Sequence, residues 1–141
     1  MKQKMLLSLS AVFLALVICF TGIVFNNPVF ACECDKRNGF EQEFDFSKAV
    51  FVGKVVEIDE AKPDAFVTFR VEKIWKGVKS KTIVVRTNNQ GKACGYRFNR
   101  GESYLVYAHD DGALRTSICT RTTEIKSADD DLRKLTKKKE L

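Results

Sequence analysis

Outside an apolar leader, cysteine occurs only at positions 32, 34, 94 and 119, and the first two are separated by a single residue. An even cysteine count in a small exported domain points to two disulfides, and four cysteines allow three pairings. Neighbours in Cys-x-Cys seldom bond to each other because the ring would be tight, which favours Cys32 and Cys34 each reaching a distant partner. The start of the domain would then be stapled at two points. Each long-loop bridge contributes about 2 to 4 kcal/mol, a large share of the roughly 5 to 15 kcal/mol that holds a domain together. A zinc site is the competing use of these cysteines. With one histidine, His109, and no second Cys-x-x-Cys, its ligand spacing is poor.

Residues 1–31 read as an export signal. Met1 to Lys4 is basic, Met5 to Phe25 is an apolar run, and Asn26-Asn27-Pro28 breaks the helix before Val29-Phe30-Ala31, with small Ala31 at −1 and Val29 at −3. Cleavage after Ala31 would make Cys32 the first residue of a mature chain, with a free amine, a carbonyl and a sulfur on one residue. An uncleaved membrane anchor is the alternative, since the apolar run is about as long as a spanning helix. Lipid attachment at Cys32 is a third fate. Phe30 at −2 fits that signal poorly, and lipidation would take the Cys32 sulfur and strand one disulfide partner. The expected location is therefore secreted or cell-surface, with membrane association only through a retained or lipidated leader.

Removing Lys2 and Lys4 with the leader lowers the basic count from 24 to 22 against 18 acidic residues, a mature charge of +4. So weak and dispersed a charge gives no case for nucleic acid, and Lys137-Lys138-Lys139 reads as a solvated tail. The expected mature segment, 32–141, suits one domain. It has no internal repeat, low-complexity block or second-domain linker.

Along this segment the apolar period is mostly two, punctuated by Gly, Asn and Asp. Strands are expected over Ala49 to Ile58, Ala65 to Trp75, Lys81 to Thr87, Ser103 to Ala108 and Ala113 to Cys119. Gly53 suggests a bulge or close approach in the first strand. Lys62-Pro63-Asp64 supplies the turn before the second, and Asp110-Asp111-Gly112 a hairpin between the last two. Val67, Phe69 and Val71 alternate with Thr68 and Arg70. Five short strands suggest a small closed barrel. Phe40, Phe44 and Ser47-Lys48 fit a short helix or turn ahead of the first strand. Ser127 to Lys134 fits a helix with Ser127 as cap, Asp129 to Asp131 at its positive end, and Leu132 and Leu135 docking it on the barrel. Phe44, Phe46, Phe51, Phe66, Phe69, Trp75, Tyr104 and Tyr107 read as core and strand faces rather than a ligand platform. His109 reads as an exposed turn residue.

In order and spacing, several pieces carry a family resemblance: Cys32-Glu33-Cys34, Ala49 to Lys54, Cys94-Gly95, Ser103-Tyr104-Leu105, and Asp111 through Cys119. The chain resembles the amino-terminal domain of the tissue inhibitors of metalloproteinases, a netrin-like module with an OB-type closed barrel, in a single-domain form of bacterial character. The resemblance implies a mainly β fold with the carboxy-terminal helix on the barrel, and pairing of Cys32 with Cys94 and Cys34 with Cys119. It also implies that the Cys32 α-amine and carbonyl chelate the catalytic zinc of a metalloprotease. Glu33 and Cys34 would contact the protease, Glu33 entering its specificity pocket, and Gly91, Lys92 and Ala93 would form the adjacent loop of the contact ridge. The sequence departs from the family in two ways: Glu33 stands where a small Ser or Thr is usual, and the third amino-domain disulfide has no counterpart. A cell-surface binding or adhesion module without inhibitory activity is the second reading. An OB-type barrel for oligonucleotide or glycan is a third, disfavoured by the low charge. With no nucleophile motif, no phosphate loop and a lone histidine, the sequence reads as a non-enzyme that needs no cofactor.

Overall fold

The computed structural model describes Cys32, Cys34 and residues 38–77, 79–88 and 94–139. The expected leader, together with Glu33, Gly91, Lys92 and Ala93, lies outside the described residues. A short helix α1 (Phe40–Phe46) leads into strands β1 (Ala49–Ala61), β2 (Asp64–Lys76), β3 (Thr82–Asn88), β4 (Ser103–Asp110), β5 (Leu114–Arg115) and β6 (Thr123–Glu124). A 3-10 turn (Ile125–Ser127) and helix α2 (Asp129–Lys139) follow.

The strands close on themselves. β1 pairs antiparallel with both β2 and β4, β2 with β3, and β4 with β5, while β5 meets β3 in parallel at Arg86↔Arg115, so β1-β2-β3-β5-β4 returns to β1. β6 adds to β4 at Tyr104↔Glu124 and Leu105↔Thr123. The apolar pattern explains which faces are buried. Phe51, Val55, Val67, Phe69, Val85, Phe98, Tyr104 and Val106 fill the ring interior. On the outer side of β1 and β4, Val50, Val52, Leu105 and Tyr107 pack under Phe40, Ala128 and Leu135. β1 and β4 are therefore covered on both faces, which is why they read as nearly unbroken apolar runs rather than alternating ones.

Gly53 behaves as its sequence setting suggests. The β1–β2 register shifts between Val52 and Gly53, and a Cβ at Gly53 would stand 3.0 Å from the Phe69 Cβ and 3.2 Å from the Arg70 carbonyl oxygen. The hairpin at Asp110-Asp111-Gly112 is also present, with the Gly112 N–H donating to Asp110 Oδ1 at 3.1 Å and Gly112 at φ +94°.

Several expectations need correction. The fifth strand is confined to Leu114–Arg115, because the Thr116 hydroxyl and Cys119 draw the following segment into a side-chain-bonded loop; the chain resumes pairing in the unanticipated β6. Helix α2 begins two residues after Ser127, which lies in the 3-10 turn. The Leu132 N–H instead bonds the carbonyl of buried Ala128 at 2.9 Å. The helix also runs on to Lys139, so the lysine cluster is helical, and Lys138 pairs with Glu41. Of the aromatics assigned to core and strand faces, Phe46 departs: it ends helix α1 and is 63 % exposed.

Candidate functional site

The site is a junction of three loops around two disulfides. Cys32 bonds Cys94 with a Cα separation of 5.2 Å, and Cys34 bonds Cys119 at 5.4 Å, both inside the range a relaxed bridge spans. The bridges touch: Cys32 Sγ lies 3.9 Å from Cys119 Sγ. This is the pairing implied by the family resemblance, and it ties the segment that starts at Cys32 to two separate loops.

Each loop is held by contacts independent of its cysteine. The Cys94 loop is laid on the end of β3. The Tyr96 N–H donates to Thr87 Oγ1 at 2.8 Å, and the Thr87 hydroxyl faces the Tyr96 carbonyl at 3.2 Å. Gly95 crosses so closely that a Cβ there would fall 1.8 Å from the Asn88 carbonyl oxygen. That clash gives the Cys94-Gly95 pair its physical reason, since any side chain would lift Cys94 away from β3.

The Cys119 loop is held by three buried threonines. Thr116 Oγ1 lies 2.9 Å from Thr120 Oγ1, 2.7 Å from Thr122 Oγ1 and 3.0 Å from the Tyr107 carbonyl. The Tyr107 N–H donates to Thr122 Oγ1 at 3.0 Å, and the Thr120 hydroxyl donates to the Ser117 carbonyl at 2.9 Å. The hydroxyl protons can be arranged so that every one is used: Thr120 to Ser117, Thr122 to Thr116, and Thr116 to Tyr107. The backbone N–H of Ile118 then donates to the Cys94 carbonyl at 2.9 Å, joining the two loops directly.

A chain of polar groups follows the Cys119 loop, with Asp131 and Tyr107 buried and Arg121 half-buried. Arg121 grips Asp131 with Nε at 2.8 Å and a second guanidinium nitrogen at 2.5 Å, while the Tyr107 hydroxyl donates to the same carboxylate at 2.9 Å. Burial first and the Asp131 carboxylate second push the Tyr107 phenol far up, so it remains a donor. The hydrogen bond to Asp131 likewise raises Arg121. Across α1, Glu43 is 1 % exposed and accepts from Asn38 Nδ2 at 2.9 Å, with His109 Nε2 at 2.9 Å on its other oxygen. Burial raises the Glu43 carboxyl, but hydrogen bonds from His109 and Asn38 outweigh it and leave the group below its ordinary value. The expectation of an exposed turn residue at His109 is corrected in its placement, while the side chain keeps 39 % of its surface exposed. His109 lies on β4 and supports a buried carboxylate, because the strand runs two residues past Ala108.

Of the residues singled out from sequence, the fold brings Cys32, Cys34, Cys94 and Cys119 together. Glu33, Gly91, Lys92 and Ala93 lie outside the described residues. Sequence reasoning missed the supporting set, Thr87, Tyr96, Thr116, Thr120 and Thr122. Its one sequence signal was the density of hydroxyl residues around Cys119, from Thr116-Ser117 through Thr120 to Thr122-Thr123. A search against protein-family models found no match to this chain, and neither did a search of curated proteins.

Proposed function

We propose that this protein is an exported inhibitor of zinc metalloendopeptidases, built on an OB-like, netrin-type barrel. Cys32, once it is the first residue of the mature chain, would cap the target's catalytic zinc. The observation that supports this reading is the double staple: Cys32 and Cys34 are bonded to two loops that are themselves fixed to β3 and β4. A chelator must arrive already shaped, because each group that has to be ordered on binding subtracts from affinity. The α-amine suits the task. Its reference pKa of about 7.7 to 8 lets zinc displace its proton near neutral pH, and a catalytic zinc keeps a coordination position for water that the amine and carbonyl of Cys32 would fill. The two disulfides fit folding in an oxidising compartment.

Glu33 would set selectivity. A carboxylate entering an apolar pocket loses hydration without a partner, at a cost of several kcal/mol, so the favoured target has a basic or polar primary pocket. Glu33 also favours the second reading, a cell-surface binding or adhesion module that keeps the barrel without inhibition. Intact-mass measurement of the exported protein, followed by assay against zinc proteases with apolar, polar and basic specificity pockets, separates the two. A mass beginning at an unmodified Cys32 together with inhibition of a protease with a polar or basic pocket supports the inhibitor. A retained leader, an acylated Cys32, or failure to inhibit any protease in the panel supports the binding module.

A further inference from the structure

We propose that the four cysteines have a second state: when reduced, they form a tetrathiolate site for a borderline-soft divalent cation, with Zn²⁺ the best fit. The sulfurs of Cys32, Cys34 and Cys119 all lie within 4.8 Å of one another, while Cys94 stands outside that group of three and is joined to it by its bond to Cys32, so it must swing inward on reduction to complete the set. In tetrahedral zinc coordination, with Zn–S of about 2.3 Å, neighbouring sulfurs stand roughly 3.8 Å apart. The Cys32–Cys119 separation of 3.9 Å already matches that spacing while both disulfides are intact. Reduction would let each bonded pair relax outward toward the same distance.

The linear spacing hides this site, because Cys-x-Cys followed by single cysteines at 94 and 119 matches no zinc-binding pattern. The fold assembles it by laying the Cys94 loop on β3 and the threonine-bonded Cys119 loop beside it. Those contacts do not involve sulfur, so two of the four ligands stay positioned after reduction. The Ile118 N–H bond to the Cys94 carbonyl at 2.9 Å keeps the loops in register. The chemistry balances with a dithiol or phosphine as the reductant. Each disulfide takes two electrons and two protons to become two thiols, each ligating thiol releases its proton on binding, and the cation keeps its oxidation state. The all-sulfur ligand set selects zinc over magnesium or calcium. This inference concerns the cysteine cluster alone and is independent of protease inhibition.

The test uses the exported protein, reduced by a phosphine under anaerobic conditions and titrated with Co²⁺ as a spectroscopic probe. The expected result is saturation at one equivalent, with the strong visible bands of tetrahedral cobalt and a thiolate-to-cobalt charge-transfer band, all displaced by one equivalent of Zn²⁺. The oxidised protein should give none of these bands, and Cys119→Ser should bind cobalt at least tenfold more weakly after reduction. Zinc should also raise the thermal midpoint of the reduced wild type, because a ligand held by the folded cluster stabilises the fold. Absence of tetrahedral bands, equal binding by Cys119→Ser, or a zinc complex whose thermal midpoint is unchanged or lowered would each overturn the proposal. The last result would show that the thiols bind zinc from the unfolded chain.

Discussion

Replacing Gly95 with alanine probes how the Cys94 loop is seated. The new Cβ would fall 1.8 Å from the Asn88 carbonyl oxygen and 2.7 Å from its carbonyl carbon. Both are backbone atoms, so no side chain can swing aside. Reaching even a tight 3.0 Å contact requires the loop to retreat by at least 1.2 Å, the difference between those two distances. That retreat breaks the Thr87–Tyr96 pair of hydrogen bonds at 2.8 and 3.2 Å, worth about 1 kcal/mol each, and adds overpacking of about 1 to 3 kcal/mol. The stiffer unfolded chain returns about 0.4 to 1 kcal/mol. The net loss is about 2 to 5 kcal/mol, a fall in melting temperature on the order of 10 to 20 °C for a domain near this size. Thermal and urea unfolding with the disulfides intact measures it. Gly39→Ala is the control, since nothing lies within 4 Å of its Cβ position and its φ is −62°; that variant should stay within about 0.5 kcal/mol of wild type. Equal stability of the two variants would refute the seating of the loop described above.

Three further outcomes follow from the buried polar groups and from Glu33. Because the folded protein holds Glu43 below its unfolded value of about 4.3, its stabilisation is present above that pH and is lost as pH falls through the depressed folded value. Denaturant melts from neutral to acid pH should therefore show wild type losing stability more steeply than Glu43→Gln below about pH 4.3, and parallel curves would contradict the Glu43–His109 pairing. Asp131→Ala strands the Arg121 guanidinium and the Tyr107 hydroxyl and should cost about 3 kcal/mol, against about 1 kcal/mol for Tyr107→Phe; equal costs in urea titration would show that Arg121 draws little from the pair. Under the proposed inhibitor reading, Glu33→Thr would remove a charge from the position expected to enter the protease pocket. It should tighten inhibition of a metalloprotease with an apolar pocket by roughly 10- to 100-fold, read as a ratio of inhibition constants.

Local pattern carried much of the architecture. β1 and β4 are legible in the sequence because their apolar runs are long, and β2 because Val67, Phe69 and Val71 alternate with Thr68 and Arg70; the ring joins few short strands with one strong hairpin. The end of β5 was not legible. Leu114, Arg115 and Thr116 continue an in-out alternation, but the Thr116 hydroxyl is committed to Tyr107, Thr120 and Thr122, partners that only the folded chain supplies. The start of α2 was misplaced for a similar reason. Ser127 has the right chemistry for a cap, yet burial of Ala128 in the cluster with Leu135 and Tyr107 moves the cap position one residue on, to Ala128. His109 was misread because its partner Glu43 lies 66 residues away. The cysteine junction is the most legible part of the candidate site, whereas the hydroxyl residues clustered around Cys119 look like those of any polar loop until the fold brings Tyr107 to them.

The proposed function makes one central claim: a free amine at Cys32, held by the two disulfides, would cap a metal in another molecule. Its most direct test compares inhibition constants for the protein beginning at Cys32 and for a form with one alanine added before it, on a zinc protease that the first form inhibits. Blocking the amine in a peptide bond should weaken inhibition by at least a hundredfold while leaving the melting temperature unchanged. Equal potency of the two forms would contradict the claim.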